Sequence, residues 1–465
     1  MEPNAVTAAG LSGRSIVVSD VIDVVPRMNS LFTTTFVICL ISLLWEGFDL
    51  NVFGLAMPVL MKDMKLTPAQ AGLLGSYGIA GMVFGALLFG MLADIIGRKH
   101  ALMIGTFTYA LFTGAVAFTH SVAAFGVCRF IAGLGFAGVL PILLAIVSEY
   151  SPKKKRATLI LWLTSSGASG TVIGALVSFG VLPRYGWRPI FLFTFLGLLV
   201  IPFQFAKLPE SMSYLVKHGR KDDIAKTLKS ANPDFVPAAN DTYELTGFNK
   251  GKASVASLFQ GGFAKNTILF CIILWVNYCF IYGFTTWLPK LMTLRGWSLN
   301  FGLWFALIYN MGFILGIPSF GWAADKYGCK RVLITGLVLT GCLLCLVSQL
   351  HAAILLSIFL FLSGACQHGQ QGAVSAYLSQ SYPLSFRGTG LGLAQAVGRF
   401  GGTLGPIMTG ILLSYRVSVP ANVVVFGILP FVSAFFVLLT TDFTRTKQSH
   451  EVAVPLAVTV NPASE

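Results

Sequence analysis

Charge is scarce in this chain. Of 465 residues, 11% are Asp, Glu, Lys or Arg, where a soluble globular chain carries about a quarter. Acids are the scarcer half, 18 against 32 Lys and Arg. With 55% hydrophobic residues, so little charge argues against a soluble fold and for a bilayer as the solvent. Other features are missing as well. There is no glycine-rich loop ending in Lys-Ser or Lys-Thr, which argues against nucleotide-driven work. Residues 1–30 lack a compact apolar core behind a basic start, so no cleaved leader is expected and the first apolar run is its own insertion signal. The eight cysteines mostly fall inside apolar runs, as Cys39, Cys128, Cys271 and Cys366 do. Cys342 and Cys345 form a C-x-x-C with no His or acid beside it. Small packing residues are the better reading, and neither a metal nor a cofactor is expected.

What is present is length of apolar run. About 20 apolar residues cross a bilayer as a helix, and twelve such runs lie near 31–57, 71–93, 101–119, 122–146, 157–181, 188–206, 266–288, 301–323, 332–349, 352–377, 388–414 and 421–440. If the N-terminal tail is cytoplasmic, the loops and tails on that side hold 23 Lys and Arg and the opposite loops hold 7. That bias is the positive-inside pattern. It predicts both termini inside the cell and reads the net charge of +14 as a topology signal rather than a nucleic-acid patch. The expected division is a cytoplasmic tail over 1–30, a six-helix unit over 31–206, a cytoplasmic middle loop over 207–265 with short amphipathic helices, a second six-helix unit over 266–440 and a tail over 441–465.

The two units repeat at an offset of 231. "GMLADIIGRK" (90–99) lies over "GWAADKYGCK" (321–330), "SEYSPKKKRAT" (148–158) over "SQSYPLSFRGT" (379–389), and "PVLM" (58–61) over "PKLM" (289–292). An even number of helices separates the copies, so the units have the same orientation. Parallel repeats of this kind characterise the major facilitator fold. The motif at Gly90, Leu92, Asp94, Gly97, Arg98 and Lys99 resembles the loop signature of that superfamily, with Ile95 where a basic residue is usual. Its second copy, with Asp325, is looser. "RFIAGLGFAG" (129–138) and "LPESMSYLVKHGR" (208–220) resemble further superfamily elements. The fold expected is all-α and membrane-spanning: twelve helices in two parallel six-helix pseudo-repeats, as a monomer. A carboxylate at Asp94 can accept from free N–H groups at a neighbouring helix N-terminus. Asp94 and Asp325, with Gly90, Gly97, Arg98, Lys99, Glu149 and Arg387, are therefore expected to latch the cytoplasmic side in one state and release it in the other. The plainer alternative is basic anchoring alone.

"LLWEGFDLNVF" (43–53) places Glu46 and Asp49 deep in the first helix, the only acids so placed. A charge at the bilayer centre costs roughly 3 kcal/mol on insertion scales. Spacing i, i+3 puts the two on one face, and neighbouring carboxylates in a poor dielectric resist joint ionisation. Such a pair suits a proton carrier; the alternative is a static ion pair with an arginine. Only Arg129 and Arg399 are basic residues deep in a helix. Arg399, among Gly398, Gly401 and Gly402, can grip a carboxylate bidentately, whereas Arg129 is the competing anchor or a partner for Asp49. Gln367, His368, Gln370 and Gln371 make the tenth helix unusually polar, suited to a ring's hydroxyls or to interhelical bonding. Trp45, Tyr278 and Tyr282 are candidates to stack a ring.

"EGFD" in the first helix resembles the D-G-x-D pattern of the aromatic acid/proton symporters, with Glu for the first Asp. "FRGTGLG" (386–392) and "GRFGGTLGP" (398–406) agree. The resemblance implies that Glu46, Asp49, Arg129, Glu149, Arg387 and Arg399 fall on functional positions. It further implies proton-coupled uptake of an aromatic carboxylate through a cell membrane, with no enzymatic activity. Alternatives are uptake of a muconate-like diacid or nicotinate, or drug efflux. The fifth helix argues against efflux, because "GASGTVIGAL" (167–176) lacks the proline of the exporters' pattern. A membrane sensor would need a signalling domain, for which only the middle loop is long enough.

Overall fold

The computed structural model describes residues 14–25, 29–238, 241–245, 255–259, 263–382 and 387–441. Among them are twelve helical segments long and apolar enough to cross a membrane, named here spans 1 to 12: Ser30–Asp63, Pro68–Ile96, Arg98–Phe118, Val122–Glu149, Lys153–Tyr185, Arg188–Lys207, Ala264–Leu294, Leu299–Tyr327, Cys329–Gln349, Ala353–Ser381, Arg387–Ser414 and Val419–Leu439. Most run several residues past the apolar stretch that announces them. Polar caps carry the helix beyond the hydrocarbon-compatible run. Asn29, Thr67, Ser121, Ser298 and Ser418 each accept a bond from the first turn of their span, satisfying donors a helix start leaves free.

The 231-residue repeat extends to the packing. Gly170 of span 5 lies on the Leu44 carbonyl of span 1, and Gly401 of span 11 lies on the Trp275 carbonyl of span 7. Gly85 and Gly316 lie in the same way on Leu134 and Ala365, and Gly133 and Gly364 on Gly78 and Tyr309. Every pair is related by the same offset. Small residues let helix backbones approach closely in the absence of a hydrophobic driving force, so each half is held by the same set of glycine crossings. The loop glycines Gly97 and Gly328 also match, with φ of 94° and 90°, a backbone region that favours glycine.

Spans 1 and 7 both start at the face that carries the middle segment and the last described residues, here called the tail face. The halves meet toward the opposite, far face. Ser76 of span 2 donates to the Thr403 carbonyl of span 11 at 2.6 Å. Gly72 rests on the Pro406 carbonyl, Gly410 on that of Pro68, and Gly54 on Thr286. Toward the tail face the corresponding glycines stand clear: among the described residues, nothing lies within 4 Å of where a side chain would begin at Gly90 of span 2, or at Gly388 and Gly392 of span 11.

The middle segment is more than a linker. Met212, Leu215, Ile224 and Leu228, from helices Met212–Lys217 and Lys221–Ala231, join one buried cluster with Val18, Ile22, Phe32 and Tyr150. Residues Ser15–Val17 pair in parallel with Thr242–Glu244. Arg14 donates to both Asp241 oxygens, at 3.1 and 3.0 Å, and that hydrogen bonding holds the Asp241 carboxyl below its ordinary range. Arg156, at the start of span 5, donates to Asp23 at 2.6 Å. The tail and this part of the middle segment therefore dock on the first half. The amphipathic faces were visible in the sequence, but the partner they cover was not.

The glycine crossings give a direct test of the repeat. Gly170→Val and Gly401→Val are expected to reduce the monodisperse fraction on size-exclusion chromatography in detergent by similar, large amounts. Gly180→Val, at a position with nothing within 4 Å, is expected to leave it unchanged. Tolerance of either crossing substitution would mean that the close approach is dispensable.

Candidate functional site

Span 1 brings its acids inward because its other face is taken. Gly47 lies against Gly167 of span 5, and Trp45 leans toward Gly197 in span 6 with its ring 5.5 Å from Phe48. Trp45 therefore sits within the first half rather than among the other candidate residues. Asp49 is wholly buried and Glu46 is 7% exposed. Among the described residues, neither Asp49 oxygen has a hydrogen-bond partner, nor does Glu46 Oε2.

Two cations answer these acids, one from each half. Arg129 of span 4, 4% exposed, lies over the Phe53 ring at 5.0 Å and against Gly78 of span 2. It is within Coulombic reach of Asp49, but no nitrogen–oxygen contact of 4 Å or less joins them among the described residues. It borders a gap of about 20 Å³, lined also by Leu50, Phe136, Ile79, Tyr282 and Thr286. A gap of that size has room for about one water, not for an aromatic ring. Arg399 of span 11 is partly buried and acts electrostatically on Glu46, Tyr278 and Tyr282. Each acid thus has a different arginine: Asp49 one in its own half, Glu46 one across the divide.

The second half supplies amides where the first has acids. Asn277, the repeat mate of Glu46, donates to Gln371 at 2.9 Å and accepts from Gln367 at 3.0 Å. Gln370 donates to Gln367. Gln371 donates to the Tyr278 hydroxyl at 3.3 Å, and that hydroxyl donates to Gln395. The Tyr278 and Tyr282 rings lie 5.9 Å apart. Gln367 and Gln370 are fully buried and already bonded. Gln371, Tyr278, Tyr282 and Gln395 form the edge nearest Arg399. His368 turns away, with its ring 5.7 Å from Tyr309 of span 8. Asn277 and Gln395 were not singled out from the sequence. The repeat pointed to the first, and one helical turn before Arg399 points to the second.

At the tail face the loop motif gathers a network, centred on a different acid from the one expected. Arg98 pairs with Glu149, whose other oxygen accepts from the Met212 backbone at 3.0 Å, while Ser213 donates to Glu149 as well. Glu210 accepts from the Lys99 backbone N–H at 3.1 Å, lies 3.4 Å from His100 and crowds the site where Gly97 would carry a side chain. Glu210, not Asp94, therefore caps the start of span 3, a role that the helix dipole favours for an anion. The Lys99 ammonium donates to the Phe205 carbonyl at 2.7 Å. Asp94 is 76% exposed, and its nearest cation is Lys217 at 4.0 Å. Asp325 is exposed and makes no ion pair among the described residues. Arg387 opens span 11, and no described contact joins it to Arg98 or Glu149. Among the described residues nothing lies within 4 Å of the Gly328 side-chain position, and Lys330, the mate of Lys99, donates to the Thr440 carbonyl at 2.6 Å. The Pro-Glu-Ser element was legible as a motif; its docking on Gly97 was not.

The arrangement can hold an anion at Arg399 beside aromatic rings and amides, with a protonatable carboxylate facing it from the other half. Similar proteins are consistent with a carrier. The Major Facilitator Superfamily model matches residues 39–319 and 270–461. The benzoate transport protein of Acinetobacter baylyi is 33% identical, over 80% of this chain and 82% of its own length. The gentisate transporter of Corynebacterium glutamicum is 30% identical, over 88% of each. The niacin transporter NiaP of A. baylyi is 32% identical, over 78% of this chain and 83% of its own. Among solved structures, a D-xylose-proton symporter superposes with a TM-score of 0.71 at 15% identity, over 89% of this chain and 99% of that one, which bears on the fold alone. With the doubled six-helix architecture and these matches, this chain belongs to the Major Facilitator Superfamily and is a multi-pass membrane transporter rather than an enzyme.

Proposed function

We propose that this protein carries an aromatic carboxylate into the cell together with protons, by alternating access, with both termini in the cytoplasm. The observation that carries the reading is that Arg399 of the second half lies within electrostatic reach of Glu46 in the first, with no nitrogen–oxygen contact of 4 Å or less between them among the described residues, and that Tyr278 and Tyr282 lie within reach of the same cation. Benzoate, gentisate and niacin, the compounds in the relatives' names, are each a carboxylate on an aromatic ring, and the site has a complement for both parts. Arg399 takes the carboxylate, in the planar geometry a guanidinium offers. The tyrosines take the ring, and Gln371 and Gln395 sort its substituents.

Coupling follows from charge balance in a poor dielectric. With no substrate, Glu46 is the anion that answers Arg399. A bound carboxylate replaces it there, and Glu46 is then left without a cation unless it takes up a proton. Substrate and proton thus favour each other's binding, and the neutral assembly is the one that can be enclosed. Glu46 thus supports the coupling, and Asp49, one turn along the same face and wholly buried beside Arg129, takes the proton over from it and carries it through the cycle. The halves touch toward the far face and part toward the tail face, which corresponds to a carrier open to the cytoplasm. Closing it brings Gly90 of span 2 toward Gly388 and Gly392 of span 11, and Asp94 to the start of span 11 as the second part of the latch.

Three outcomes are expected. Arg399→Ala lowers binding of benzoate to purified protein at least tenfold while changing that of benzamide less than threefold; Arg399→Lys keeps the charge, loses the fork and still weakens benzoate severalfold. Equal loss of acid and amide would make Arg399 structural and Arg129 the anchor. Asp49→Asn abolishes pH-driven accumulation in proteoliposomes but keeps substrate exchange; full accumulation in this variant would remove Asp49 from the proton step. Asp94→Asn raises the reactivity of a cysteine placed at position 392 toward a membrane-impermeant reagent added from the cytoplasmic side, and unchanged reactivity would leave the motif as an anchor only.

A further inference from the structure

A line of buried polar groups runs through the interior of the first half, away from the space between the halves. The hydroxyl of Tyr109 in span 3 is within electrostatic reach of both Asp49 and Glu46. The Tyr109 ring is held by stacking on Phe136, at 4.9 Å and 13°. Thr106 stands one turn from Tyr109, toward the tail face. From span 6, Gln204 Nε2 donates to the Thr106 hydroxyl at 3.2 Å and to the Ser42 hydroxyl of span 1 at 3.0 Å. Ser42 donates to the Ile38 carbonyl at 2.7 Å, and Thr35 lies two turns further along span 1, close to its start. Asp49, Tyr109, Thr106, Gln204 and Ser42 are all wholly buried, and Thr35 is 1% exposed.

Helix glue alone does not explain this line. Both Asp49 oxygens, Gln204 Oε1 and the Thr35 hydroxyl have no hydrogen-bond partner among the described residues, and the Tyr109 hydroxyl is turned toward Thr106. Buried polar groups are nearly always satisfied, by protein or by ordered water, and in hydrocarbon each unsatisfied one costs several kcal/mol. These orphans fall on one side of the first half, in order from Asp49 toward the tail face; the last step, from Ser42 to Thr35, covers about 10 Å along span 1 and takes more than one water. A chain of hydroxyls and waters, each accepting one proton and donating another, passes a net proton along without moving any heavy atom.

We infer that the proton leaves Asp49 through the interior of the first half, by way of Tyr109, Thr106, Gln204, Ser42 and Thr35, and not by the route the substrate takes. Tyr109, Thr106 and Ser42 relay, while the Gln204 amide orients the hydroxyls on either side of it. Separate exits let the substrate leave through the opening between the halves while Asp49 stays in a dry setting. The inference rests on the proposed coupling of substrate to protons.

The test uses full-length protein in proteoliposomes with a pH-sensitive dye in the lumen and labelled benzoate, gentisate or nicotinate outside. Tyr109→Phe removes only the hydroxyl and keeps the stacked ring. Gln204→Leu and Thr106→Val break the line elsewhere, and Thr106→Ser restores the hydroxyl. Substrate exchange at equal pH is expected to stay within twofold of wild type in Tyr109→Phe and Thr106→Val, while pH-driven accumulation and lumen acidification fall at least fivefold; Thr106→Ser is expected to recover both. Wild-type accumulation in Tyr109→Phe and Gln204→Leu would overturn the route, as would exchange and accumulation falling in parallel. Wild-type protein that moves none of the three acids, or moves one without acidifying the lumen, would overturn the functional reading, and the route with it.

Discussion

A carboxylate inside a bilayer has to be matched by a cation, wetted, or neutralised. The organisation around Glu46 and Asp49 follows from that constraint. The first half supplies Arg129 close to Asp49, lodged over Phe53 and against Gly78. Glu46 finds its cation only in the second half, at Arg399. One acid therefore belongs to its own bundle, while the other reports on the relation between bundles. If both acids had partners within one half, nothing in their electrostatics would sense whether the two halves were together or apart.

The duplication makes the asymmetry plain. Several backbone crossings are copied between the halves, as Gly170 and Gly401, Gly85 and Gly316, and Gly133 and Gly364 show, because close approach of helices is a requirement that both share. The side chains facing the centre are not copied. Where the first half has Glu46, the second has Asn277, bonded to Gln367 and Gln371. A neutral amide hub can stay desolvated through a transport cycle once its bonds are made, whereas an acid cannot without a cation or a proton. On the proposed reading, the first half handles protons and the second handles the substrate, on one scaffold used twice.

The tail face shows a similar division. Glu210 closes the start of span 3, and Glu149 ties Arg98 to the helix that follows. These contacts fasten the docked middle segment to the first half. Among the described residues, Gly328, the mate of Gly97, has nothing resting on it. The first half thus carries its own cap at the tail face, and a motion of one half against the other takes that cap along as part of a single packed body.

Apolar run length settles twelve helices, because a helix is the one way a single segment can satisfy its backbone in hydrocarbon. The 231-residue offset likewise settles two halves of the same orientation. The isolation of Glu46, Asp49, Arg129 and Arg399 among apolar neighbours marks them as candidates, since each would be costly without a partner. What the linear chain leaves open is which charge faces which. Spans 1, 4 and 11 are distant in sequence, and helical periodicity says only which residues share a face. Tertiary packing gave Asp49 to Arg129 and Glu46 to Arg399, turned Trp45 toward span 6 and His368 toward Tyr309, and tied up Gln367 and Gln370 while leaving Gln371 at the edge. It also gave the cap of span 3 to Glu210 rather than Asp94, because the middle segment's apolar face docks where Gly97 leaves room, and sequence spacing carries no information about a surface assembled from five different spans.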